Sequence, residues 1–153
     1  MSTWASSSML GGRACDCFVS LHRREGFGPG PAEVLAIGRP VIATDWSSTT
    51  DFVHHEHACP VGYRLVPVGK DVGPYEAWQR WAEPDLDEAA EWMRRLTRCP
   101  ETGRAFGRKA AAFMATEFSA RRAGERMRQR LAELGPCRRH DPFRGHITTL
   151  ERP

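Results

Sequence analysis

The sequence has no apolar stretch approaching the ~18 residues that a membrane span needs. Its first ten residues are polar, without the positive start and apolar run of a secretion signal. Internal repeats and low-complexity tracts are absent, and so are a Walker loop and a G-x-G-x-x-G run. Lysine is scarce: Lys70 and Lys109 are the only two, and every other basic residue is arginine. The cysteines are odd in number and irregularly spaced, at Cys15, Cys17, Cys59, Cys99 and Cys137. That argues against a disulfide framework and for free thiols in a reducing compartment. Together these absences predict a soluble, cytoplasmic protein with no transmembrane segment.

What is present fits a globular chain. There are 153 residues, 41% hydrophobic and 27% charged, enough for one domain with a modest core. The net charge of +3 is unevenly spread. Residues 1–93 carry 7 basic and 13 acidic side chains, and residues 94–153 carry 15 and 6. The basic C-terminal part has its arginines at helical spacings among apolar residues, as solvated helix faces do. With no groove-reading motif and no aromatic platform, a nucleic-acid partner is not expected.

Along the chain, residues 17–21 (Cys-Phe-Val-Ser-Leu) read as a buried strand. A glycine-rich loop spans residues 22–30, and Pro31 suits a first helical position. Residues 32–37 then form a short helix, stopped by Gly38 and Arg39-Pro40. Residues 41–43 (Val-Ile-Ala) read as a second buried strand, and the intervening residues 22–40 are long enough for a parallel crossover. Residues 63–68 read as an edge-like third strand, because Pro67 lacks a ladder donor. Residues 69–84 read as irregular. Three helices follow. Asp85 and Glu88 match a capping box for the first, with a stripe of Leu86, Ala89, Ala90, Met93 and Leu96. The second carries Phe106, Ala110, Phe113 and Met114. The third starts near Ser119, with Ala123, Met127, Leu131 and Leu134 inward and Gly135-Pro136 as the stop. The fold class is therefore α/β, a small parallel sheet with crossover helices and a helical C-terminal tail, loosely held beyond residue 137.

The chemistry concentrates in residues 22–33, His-Arg-Arg-Glu-Gly-Phe-Gly-Pro-Gly-Pro-Ala-Glu. Glu25 lies in a loop at the carboxyl end of a strand, where open α/β sheets bind ligands. Glu33 falls in the first turn of the following helix. Gly26, Gly28 and Gly30 let a ligand approach the backbone, and the helix start favours a phosphate. The same residues also suit a plainer role, with Glu33 capping its own helix behind Gly30 and Glu25 an exposed loop residue. His54, His55, His57 and Cys59 crowd one turn. It reads as a polar surface turn, with no metal expected, because crowding does not create tetrahedral geometry.

Glu25-Gly26-Phe27-Gly28 through Glu33, followed by Gly38-Arg39-Pro40-Val41-Ile42-Ala43-Thr44, resembles the E-x7-E segment of family 4 retaining glycosyltransferases. Residues 14–21 are similar to the strand before that motif. Residues 63–68 and 81–85 are similar to a bacterial subgroup. The resemblance covers residues 14–134, with a non-homologous extension at 1–13 and a tail at 135–153. It implies a partial Rossmann-like sheet, the C-terminal half of a GT-B donor domain. It also implies a nucleotide-sugar donor, an acceptor of unknown kind and no cofactor or metal. Glu25 would contact the donor sugar near the reacting face. The amides of Gly26, Phe27 and Gly28 would approach the sugar and diphosphate, and Glu33 would accept from ribose hydroxyls. Pro29 and Pro31 stand where the family has aliphatic residues. These 153 residues do not encode an acceptor domain, nor the basic residues that hold the diphosphate. Stand-alone transfer is therefore not expected, and self-association through unpaired strand edges is. The alternative is a non-catalytic binding module or the remnant of a truncated gene.

Overall fold

The computed structural model describes residues 15–135. The chain divides into two compact units, residues 1–119 and 120–153.

In the first unit, β1 (Phe18–Ser20), β2 (Val41–Thr44) and β3 (Cys59–Val61) form a parallel sheet in that order. The register pairs Val19 with Ile42 and Ile42 with Cys59. Helix α1 (Pro29–Ala36) makes the β1-to-β2 crossover. A 3₁₀ turn at Ser47–Asp51 leads towards β3. Central strand β2 is wholly buried, as a strand covered on both faces must be. Its alternation divides the core. Val41 and Ala43 join Leu35, Phe52 and the α3 (Pro100–Glu117) residues Ala110 and Met114 on one side. Ile42 joins Cys59, Val61 and the α2 (Leu86–Arg98) residues Ala89 and Leu96 on the other. The architecture is thus α/β, a small parallel sheet with helices packed on it.

Helix α1 ends as its sequence predicts. Gly38 takes φ 76°, and the Gly38 and Arg39 amides donate back to the Leu35 and Val34 carbonyls. Its start differs. The N-cap is Gly28 at φ 82°, with Pro29 as the first helical residue. The glycine is required there, since a Cβ would lie 2.9 Å from Thr49 Cγ2 as well as at positive φ. Glu33 consequently sits in the second turn, not the first.

Four further expectations change. The strand expected at 63–68 is present at Tyr63–Pro67, but it is not the third strand, which is β3 in the parallel sheet. Its Cys59-Pro60-Val61 run is too short and proline-broken to signal a strand, and pairing with buried β2 creates it. Residues 63–68 instead supply β4 (Tyr63–Pro67), which pairs antiparallel with β5 (Arg80–Pro84) inside the segment expected to be irregular. Glu88 does not close a capping box. Asp85 caps α2 by accepting from the Asp87 and Glu88 amides, both at 3.0 Å. The Glu88 carboxylate accepts from Gly62 N at 2.7 Å, while Asp85 N donates to the Gly62 carbonyl at 2.8 Å. The start of α2 is therefore fastened to the β3–β4 junction. On α2, Leu86 and Met93 stand exposed and Trp92 packs inward in their place.

In the second unit, α4 (Ala120–Leu134) ends before Gly135 at φ 70°. Within this unit by itself, Met127, Leu131 and Leu134 are exposed. The expected loose tail lies outside the described residues. Among the described residues no helix is long and apolar enough to cross a membrane.

Candidate functional site

Two loops leave the carboxyl ends of β1 and β2 on the same edge of the parallel sheet. In open α/β sheets that edge is where ligands bind. His22, two residues after β1, joins the two loops. Its Nε2 donates to the Trp46 carbonyl at 3.1 Å and lies 3.2 Å from Thr49 Oγ1. Its Nδ1 faces Ser20 Oγ at 3.3 Å. Thr49 Oγ1 reaches the Thr44 carbonyl at 3.1 Å and that of Trp46 at 3.0 Å. Ser47 takes an unusual φ of 67°, and its hydroxyl donates to the Glu25 carbonyl at 2.7 Å. The loop that carries Glu25 is thus held at its main chain by Ser47.

The predicted residues fall as follows. Glu25 is half-buried, and one carboxylate oxygen accepts from Gly26 N at 2.9 Å. A Cβ placed on Gly26 meets nothing within 4 Å, and Gly26 has no positive φ. Neither packing nor backbone strain requires glycine at that position, and its bare backbone faces open space. Phe27 is about half exposed at 51%, with its ring 5.7 Å from buried Phe52. Gly28 is buried beneath Thr49 and Phe52. Glu33 is half-buried on α1, five residues beyond the N-cap, or ~7.5 Å along the axis. Glu25, Gly26, Phe27 and Gly28 therefore share one loop mouth, and Glu33 stands back along the helix.

The helix start is a poorer anion site than its sequence suggests. Of its first three residues, Pro29 and Pro31 have no N–H, so Gly30 alone keeps a donor. Ala32 N is already spent on the Gly28 carbonyl at 3.1 Å. The donors left to a phosphate are the amides of Phe27, Gly28 and Gly30.

Residues with no expected role frame the loop. Arg23 pairs with Glu83 of β5 at 2.7 Å and lies 4.8 Å over the Trp81 ring. Arg24 lies 5.1 Å over Tyr75 and reaches Gln79 at 3.4 Å. The Arg23 carbonyl accepts from Ala82 N. The β4–β5 hairpin therefore clamps the residues just before Glu25. The Arg-Arg pair was visible in the sequence, but its partners lie 51 to 60 residues away. At the end of β2, buried Thr44 Oγ1 has no hydrogen-bond partner among the described residues. Such a hydroxyl costs about 1–3 kcal/mol unless something meets it.

A cavity of about 530 Å³ lies elsewhere. Asp16, Val19, Arg39, Pro40, Met93 and Arg104 are among its lining residues, and none of Glu25–Glu33 belongs to it. It follows β1, which among the described residues pairs on one side only.

The histidine-rich turn is not a plain surface turn. His57 is buried, and its ring stacks on Phe113 of α3 at 4.6 Å. Burial lowers its pKa below the usual histidine value, and the carbonyl of Phe52 opposes that. Cys59 leaves the group altogether. As part of β3 it points into the Ile42 side of the core, where burial pushes its thiol up to about 12. His54, Glu56 and His57 come together instead.

No protein-family model matches the chain, and a search of curated proteins finds no match either.

Proposed function

We propose that this chain carries the donor-binding side of a retaining glycosyl-transfer site that takes a nucleotide-sugar. The supporting observation is the shared mouth at the carboxyl ends of β1 and β2, where Glu25 stands beside the unobstructed backbone of Gly26. The sugar would lie against Gly26, with Glu25 accepting from its hydroxyls. The diphosphate would take the amides of Phe27, Gly28 and Gly30. Glu33, further along α1, would accept from ribose hydroxyls, two of which a single carboxylate can serve. On this reading the α/β unit is the C-terminal half of a GT-B donor domain of family 4, bacterial in type and working in the cytoplasm. Transfer also needs an acceptor held against the donor, so binding is the property to measure first.

Ligand-observed NMR with a panel of nucleoside diphosphates on the full chain tests it. Millimolar or tighter binding is expected. Glu33→Ala should weaken it by roughly tenfold or more, since a hydrogen bond to a charged acceptor is worth about 1.5–3 kcal/mol. Absence of binding by every nucleotide at millimolar concentration overturns the reading.

The edge of β1 that is unpaired among the described residues, with a cavity beside it, favours a second reading. In that reading the chain is a non-catalytic module that pairs with another polypeptide through an unpaired strand.

A further inference from the structure

The turn between the 3₁₀ segment and β3 brings three ligand-bearing side chains together. One candidate ligand atom from each of His54, Glu56 and His57 lies within 4.8 Å of the others. Two independent features orient the rings. His54 Nε2 donates to the Thr50 carbonyl at 3.1 Å, and His57 Nε2 to the Phe52 carbonyl at 3.0 Å. A ring that donates from Nε2 carries its lone pair on Nδ1. Main-chain carbonyls on the far nitrogen are the usual outer support of metal-bound histidines. Phe113 supplies the second feature, stacked on His57 and edge-on to His54 at 5.3 Å. Both rings are thus placed before any ion arrives.

We propose that His54, Glu56 and His57 form a binding site for a divalent transition metal, zinc in the first instance. Two imidazoles and a carboxylate suit zinc and its neighbours better than calcium or magnesium. Three protein ligands leave one tetrahedral position to water. Ligands ~2.1 Å from a tetrahedral ion stand ~3.4 Å apart, so the group must contract slightly. Exposed Glu56 is the side chain with freedom to do it. Cys59 faces the opposite side of the sheet and takes no part.

The test uses the full chain without a histidine tag, stripped with chelator and titrated with zinc in a calorimeter. One-to-one binding is expected, weakened roughly tenfold or more in His54→Ala and in Glu56→Gln, and unchanged in His55→Ala. Glu56 is exposed, so Glu56→Gln should leave the metal-free melt unaltered and keeps the test independent of folding. Cobalt substitution should give a visible spectrum without the thiolate charge-transfer band of cysteine ligation. At a hundredfold excess over its dissociation constant, zinc should raise the melting temperature by about 10 °C. No zinc binding, binding indifferent to His54 and Glu56, or a thiolate band would each overturn the site.

Discussion

Replacing Gly107 by alanine sets two opposed effects against each other at one position. In the middle of α3, alanine is the better helix former by about 0.8–1.0 kcal/mol. Gly107, however, is where α3 crosses the end of α1. A Cβ there would overlap the Gly38 carbonyl oxygen and lie 2.6 Å from its carbon and 3.3 Å from Arg39 N. Ordinary contact for a Cβ begins near 3.4 Å, so the helix must retreat by 3.4 − 2.6 = 0.8 Å from the carbon and further from the oxygen. The obstacle is backbone held at φ 76° by the α1 stop, not a flexible side chain that can swing away. The retreat also loosens Ala110 and Met114 against Leu35 and Phe52. Overpacking of this kind costs about 1–3 kcal/mol or more. Net of the propensity gain, a loss of about 2 kcal/mol is expected, or roughly 10 °C in melting temperature for a unit of this size. Two alanine controls calibrate it. At Gly103 the nearest atom is Pro40 Cγ at 3.3 Å, so strain and propensity nearly cancel. At Gly124 on α4 nothing lies within 4 Å, so only the propensity gain remains. Melts followed by circular dichroism read all three. If Gly107→Ala melts at or above the parent temperature, the close crossing of α1 and α3 is refuted.

Two further outcomes follow from single groups. Asp85→Ala removes the acceptor of two α2 amides and should cost about 1 kcal/mol. A denaturant melt with an unchanged midpoint would contradict that cap. Alkaline pH should destabilise the chain through Cys59, whose folded pKa is raised by burial to about 12 from 9.0. Between those values the unfolded thiol ionises while the folded one stays protonated. The stabilisation is therefore complete below pH 9 and lost as pH rises towards 12, by up to about 1.4 kcal/mol per pH unit. Stability titrated from pH 8 to 11 should decline less steeply in Cys59→Ala. The same burial should leave Cys59 unalkylated at neutral pH while exposed Cys99 reacts.

The local signals determined local structure. The apolar runs of β1 and β2, the glycine and Arg-Pro stop of α1 and the Asp85 cap were legible because each depends on neighbours within a few residues. So was the loop that carries Glu25 directly after a strand, because the apolar run before it and the glycines within it are local signals. Where α1 begins was less legible. Gly30-Pro31 and Gly28-Pro29 both suit a cap and first position, and Thr49 and Phe52 packed over Gly28 decide between them. Everything carried by distant partners needed the tertiary structure. Cys59-Pro60-Val61 becomes a strand only beside β2, and β5 only beside β4. Glu88 completes a capping-box spacing, yet Gly62 supplies the amide its carboxylate accepts. Arg23 and Arg24 look like free cations until Glu83, Trp81 and Tyr75 arrive from the hairpin. The histidine turn shows the reason most plainly. Sequence spacing groups His54, His55, His57 and Cys59, but a strand sends Cys59 into one side of the core while Phe113 gathers its neighbours on the other. Adjacency along a chain does not state which face of a sheet a side chain will occupy; the pairing partner of the strand does.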